Sequence, residues 1–165
     1  MEDKEGLARA REAGLRLLAR RDHGERELAQ KLLSRGFDEE IVSGTIAYFR
    51  ELGYLSDRRF ATGQARRLAE ERGLGDRRLR SFLRGRGISE ELTAAAIEAV
   101  RRDWSEEKAL RSLIRKKTLA GYDRKNHRER QKLIRHCLGR GFPPELIYEM
   151  INRAEEEDGH DDDGK

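Results

Sequence analysis

The sequence predicts an all-α protein: a tandem array of three three-helix repeats forming an elongated, curved, solenoid-like chain. The first observation behind this is a recurring corner, where a basic residue and a glycine close one helix and another begins two residues later. The copies read Leu32-Leu33-Ser34-Arg35-Gly36-Phe37-Asp38, Leu83-Arg84-Gly85-Arg86-Gly87-Ile88-Ser89 and Cys137-Leu138-Gly139-Arg140-Gly141-Phe142-Pro143. The second is register. The copies lie 51 and then 54 residues apart, and at those shifts Leu28, Leu79 and Leu133 coincide, as do Glu40, Glu91 and Glu145, and Ile46, Ile97 and Ile151. A period of this length marks one supersecondary unit repeated. The third is that no run of alternating β-branched residues suggests a sheet.

The first repeat spans residues 1–56, the second 57–104 and the third 105–154, each opening with its own helix. Those opening helices are expected from about Leu7 to Arg20, Asp57 to Arg72 and Ser105 to Ala120, with Gly53, Gly73 and Gly121 following helix ends. Ser105-Glu106-Glu107-Lys108 offers a cap with acids in the first turn. At the corners, Gly36, Gly87 and Gly141 supply the left-handed residue that closes a helix, a conformation open to glycine because it has no Cβ. Arg35, Arg86 and Arg140 put positive charge at the negative end of the helix dipole. Asp38 and Ser89 are placed to cap the next helix, and Pro144 suits a first helical position. Phe37, Ile88 and Phe142 between them pin each corner to the core. In the first repeat, Ile41, Thr45, Tyr48, Phe49 and Leu52 follow helical spacing and mark a buried face.

Composition narrows the function. The chain of 165 residues is 36% hydrophobic and 41% charged, lean for a sphere but suited to units strung in a row. It holds no apolar run near membrane-span length and no hydrophobic signal segment, and one cysteine excludes an internal disulfide. A soluble, cytoplasmic monomer with no membrane association is expected. The segment 155–165 carries seven acids and one lysine without an apolar residue, so it reads as a disordered acidic tail. The remaining body has 35 basic against 25 acidic residues. Between Arg58 and Gly87 stand ten arginines and three acids, Glu70, Glu71 and Asp76. Arginine's planar fork suits phosphate and carboxylate partners, although a solvated face in an arginine-rich chain reads the same way.

No catalytic or metal constellation emerges, so no enzyme activity, metal or cofactor is expected. His23, His127, His136 and His160 are scattered, and adjacent His136 and Cys137 point to different helix faces, unlike zinc ligands. Cys137 replaces a repeat leucine and reads as a small buried residue. Trp104, just before a helix cap, reads as a packing residue between repeats.

Gly24-x-x-Glu27-Leu28-x-x-Lys31-Leu32-x-x-Arg35-Gly36-Phe37, followed by Leu52-Gly53-Tyr54-Leu55-x-Asp57-x-x-Phe60-Ala61, resembles the bacterial RecX family. Arg72-Gly73-x-Gly75-x-x-x-Leu79-x-x-x-Leu83-x-x-x-Gly87-Ile88 resembles that family's central repeat, and the likeness covers about residues 15 to 153. Gly36, Phe37, Asp57, Phe60, Gly73, Gly75, Leu79, Gly87, Ile88 and Gly141 carry its structural motif. Gly24 departs from the serine common at its position, and the third repeat, with its basic stretch from Arg111 to Arg135, diverges most. The resemblance implies a regulator of the RecA recombinase that binds RecA and RecA–DNA filaments and restrains ATP hydrolysis, strand exchange and co-protease function, with weak direct DNA contact as an adjunct. The arginines that would meet such a partner are Arg66, Arg67, Arg72, Arg77, Arg78, Arg84 and Arg86. Two other readings stand beside it: a helical protein binding nucleic acid directly, and a helical adaptor for another partner.

Overall fold

The computed structural model describes residues 2–121 and 126–160. Among them are nine helices and no strand: α1 (Glu2–Leu18), α2 (Glu25–Leu33), α3 (Glu39–Glu51), α4 (Asp57–Glu70), α5 (Asp76–Gly85), α6 (Glu90–Asp103), α7 (Glu106–Leu119), α8 (His127–Gly139) and α9 (Pro144–His160). The repeat count and the helix order match the sequence reading. The disorder expected from Glu155 does not begin there, because α9 continues to His160. Glu155, Glu156 and Glu157 are good helix formers and simply extend it. Residues 161–165 lie outside those described.

Each corner closes in the same way. Gly36, Gly87 and Gly141 have φ of 85°, 84° and 90°. Their N–H groups donate to Leu33, Arg84 and Leu138, while those of Phe37, Ile88 and Phe142 reach back to Leu32, Leu83 and Cys137. This paired pattern is a Schellman motif, which normally brings its two outer side chains into apolar contact. It explains an apolar residue after every corner glycine, and a buried small side chain at Cys137 where the other copies have leucine. Burial pushes the Cys137 thiol up to about 11. Ile88 and Phe142 are buried; Phe37 is half-buried against the first core.

The helices form two compact units, residues 1–64 with 82–96 and residues 65–81 with 97–165, so the second repeat contributes to both. The first unit is built around Ala13, Leu17, Leu28, Leu32, Val42, Phe49 and Leu55. There α1 lies close against α3, because a Cβ on Gly14 would overlap the Phe49 ring. Leu52, expected in this core, is 49% exposed: it is the C-cap of α3, beyond the buried stripe, and Leu55 is buried instead. Asp38 stands at the N-cap of α3 but makes no side-chain cap bond, whereas Ser89 accepts from Leu92 N–H. The second unit is built around Leu110, Ile114, Leu133, Cys137, Phe142, Ile147 and Ile151, with Trp104 partly buried against them.

Middle helices are completed by the repeat that follows. Gly24 has no side chain with which to cap α2, and Asp57 Oδ1, from the start of α4, accepts from Glu25 N–H at 2.8 Å. In the second unit, Glu106 Oε1 from the start of α7 accepts from Asp76 N–H at the start of α5, also at 2.8 Å. In the third repeat α8 is capped from within, by its own Asn126, which accepts from Arg128 N–H at 3.0 Å.

Candidate partner-binding surface

The arginines that the sequence singles out come from α4, the turn after it, α5 and the corner after α5, and they divide between the two units. Arg66, Arg67, Arg72, Arg77 and Arg78 belong to the second unit, Arg84 and Arg86 to the first. Several are already committed to holding helices together. Arg66 lies 2.9 Å from Asp103 and 3.4 Å from Glu70. Arg77 donates to the Leu138 carbonyl at 2.8 Å, and the Arg78 stem lies against Gly141. Arg84 pairs with Glu90 at 3.5 Å between exposed side chains, a geometry worth little in water. Arg67 and Arg72 are exposed, and the Arg72 carbonyl accepts from the Arg140 guanidinium.

Arg86 is the most embedded of the set. Its guanidinium sits 2.8 Å from Glu27 and 5.0 Å from the centre of the Phe82 ring. Glu27 is also gripped by both terminal nitrogens of Arg21, at 2.5 and 3.2 Å, and approached by Lys31 at 3.8 Å. Burial alone would raise the Glu27 carboxyl, but the Arg21 hydrogen bond and the Arg86 and Arg21 charges overcome it and hold the group at about 2. Beneath this cluster lies His23, buried, its Nδ1–H donating to the Arg21 carbonyl and its Nε2 accepting from Lys31. Burial, with the Arg21 and Lys31 charges, lowers its pKa against the raising effect of its backbone bond. Sequence reading left His23 as a scattered histidine, because nothing local shows a ring tucked under α2.

Basic residues outside the candidate partner-binding set join part of it. Arg72 and Arg78 line a cleft of about 870 Å3 together with Lys116, Arg135 and Arg140. Among the described residues no group of three or more His, Cys, Asp or Glu is placed to hold a metal ion. No described helix is long and apolar enough to cross a membrane.

Comparison with known proteins gives these helices a family context. Models of the first, second and third three-helix domains of RecX match residues 10–49, 56–97 and 105–151. The chain is 36% identical over 154 residues to a regulatory protein RecX of Vibrio cholerae, covering 92% of this chain and 97% of that one. It is 34% identical to the regulatory protein RecX of Halorhodospira halophila, covering 90% of this chain and 89% of the relative. A crystal structure of RecX from Lactobacillus salivarius superposes with a TM-score of 0.78 at 19% identity, over 92% of this chain and 98% of that one, a likeness of fold.

Proposed function

The chain belongs to the RecX family, and on that premise we propose that it is a non-enzymatic modulator of the RecA recombinase, mainly an inhibitor. It binds RecA and RecA–single-stranded-DNA filaments in the cytoplasm as a monomer, and restrains ATP hydrolysis, strand exchange and co-protease function. The observation that carries this reading is the match of all three family domains, in order, from residue 10 to residue 151, beside full-length relatives that are regulatory proteins. Its exposed arginines suit a partner rich in phosphate and carboxylate.

The test is RecA ATPase on single-stranded DNA with increasing amounts of the protein. Hydrolysis should fall progressively, and the protein should co-sediment with the filaments. Undiminished hydrolysis with no co-sedimentation would overturn the reading. Paired substitutions then locate the contact. Arg66→Ala with Arg67→Ala, or Arg77→Ala with Arg78→Ala, should weaken inhibition about five- to tenfold. Because Arg66 and Arg77 also tie helices together, helical dichroism of each variant accompanies the assay.

A further inference from the structure

Five cations line the cleft of the second unit, and they have few counter-charges. Arg72, Arg78 and Lys116 come from the turn after α4 and from α5 and α7, and Arg135 and Arg140 from α8 and its C-cap. Two lining carboxylates oppose them, Glu70 and Glu71, and Glu70 is engaged with Arg66. Arg72, Arg78, Lys116 and Arg135 make no ion pair among the described residues, and the Arg140 guanidinium donates to the Arg72 carbonyl. Trp104 and His136 also line the cleft, and the indole Nε1 and the imidazole Nε2 are each buried without a hydrogen-bond partner. An indole N–H can only donate, so an acceptor is what completes it. An unmet buried donor is unfavourable enough that a ligand supplying the acceptor gains from it.

We propose that this cleft is a binding site for a free nucleoside polyphosphate. Phosphate packs the most negative charge and the most acceptor oxygens into a small volume, which matches four arginines and a lysine better than an isolated carboxylate does. Leu74, Leu113 and the Trp104 ring give the same cleft an apolar part for a base. Its volume lies within the roughly 300–1,000 Å3 typical of small-ligand sites. The inference stands independently of the RecA reading.

Trp104 is the sole tryptophan, so its fluorescence reports this cleft alone. Thymidine triphosphate titrated into the full chain at low salt should change that fluorescence saturably, and raising salt should weaken binding. Arg72→Ala combined with Arg135→Ala, both exposed positions, should weaken it at least tenfold with helicity unchanged. Arg16→Ala, in the other unit, should leave it unaltered. Inorganic triphosphate binding more weakly than the nucleotide would support the role of the apolar part. No saturable response to the nucleotide, a response only to oligothymidylate, equal binding of a polyglutamate peptide, or full affinity in the double variant would each overturn the proposal.

Discussion

The two joints between repeats use one device with different reinforcement. In both, an acid at the start of the following repeat caps a middle helix whose preceding residue, Gly24 or Gly75, has no side chain. Around the first joint the reinforcement is ionic: Arg86 from the second repeat enters the Glu27, Arg21 and Lys31 cluster of the first. Around the second it is made largely on the backbone. Gly75 N–H donates to the Arg140 carbonyl at 2.9 Å, Arg77 to the Leu138 carbonyl, and the Arg140 guanidinium to the Arg72 carbonyl, while within the second repeat Arg101 ties the start of α5 through the Leu74 carbonyl and Asp76. A repeat protein thus keeps its stacking rule while varying its chemistry, so the joints are expected to fail under different perturbations.

The steric contrast gives the largest effect. A Cβ on Gly75 would lie 2.5 Å from the Gly141 carbonyl oxygen, which is backbone and has no room to yield. A Cβ on Gly24 would stand 3.2 Å from a carboxylate oxygen of Asp57, which can shift. Gly75→Ala should therefore cost about 3 kcal/mol in denaturant unfolding and Gly24→Ala under about 1. Equal costs would mean that the second joint is as pliable as the first.

Next comes charge. Glu27→Gln should cost about 2 kcal/mol at neutral pH, because it strands cations gathered around a carboxylate held far below its ordinary value. The sign follows from that direction. The native state keeps Glu27 ionised while the unfolded chain takes up a proton, so its contribution is present above about pH 4.5 and lost as pH falls toward 2. Glu106 runs the other way. Burial first, and then the Asp76 charge, raise its pKa, so its contribution is best at low pH and declines as pH rises through that raised value. Melting measured from pH 7 to 3 should show Glu27→Gln flattening the acid loss and Glu106→Gln steepening it. Parallel curves would remove the contrast.

Caps give the smallest effects. Asp57→Ala should cost about 1 kcal/mol, and Asn126→Ala about half that, since Asn126 caps through a single neutral bond at the exposed start of α8. A silent Asp57→Ala would show that α2 finds another partner.

The corners were legible in the sequence because only glycine takes their backbone conformation cheaply, and because the Schellman pattern dictates an apolar residue one step later. Phe60, Leu79 and Ile88 were legible as motif positions and are buried. The joints were not. Asp57 and Glu106 look like ordinary first-turn acids of their own helices, and the N–H groups they cap lie 32 and 30 residues away. Leu52 satisfied the helical period yet fell one position past the helix, where the period no longer governs direction. The contacts of the arginine set were hidden for a similar reason. Composition showed ten arginines close together, but which of them meet Asp103, Leu138 or Glu27 depends on contacts made far along the chain.

The cap borrowed from the next repeat has a consequence for how the chain is made. Proteins emerge from the ribosome N-terminus first. When α2 has been synthesised, its first N–H groups stay open until Asp57 follows, and α5 waits in turn for Glu106. The nascent chain therefore locks in stages, each middle helix secured only when the start of its successor arrives. The middle helix of the third repeat differs: its cap, Asn126, precedes it in the chain, so the start of α8 is closed as soon as it is made.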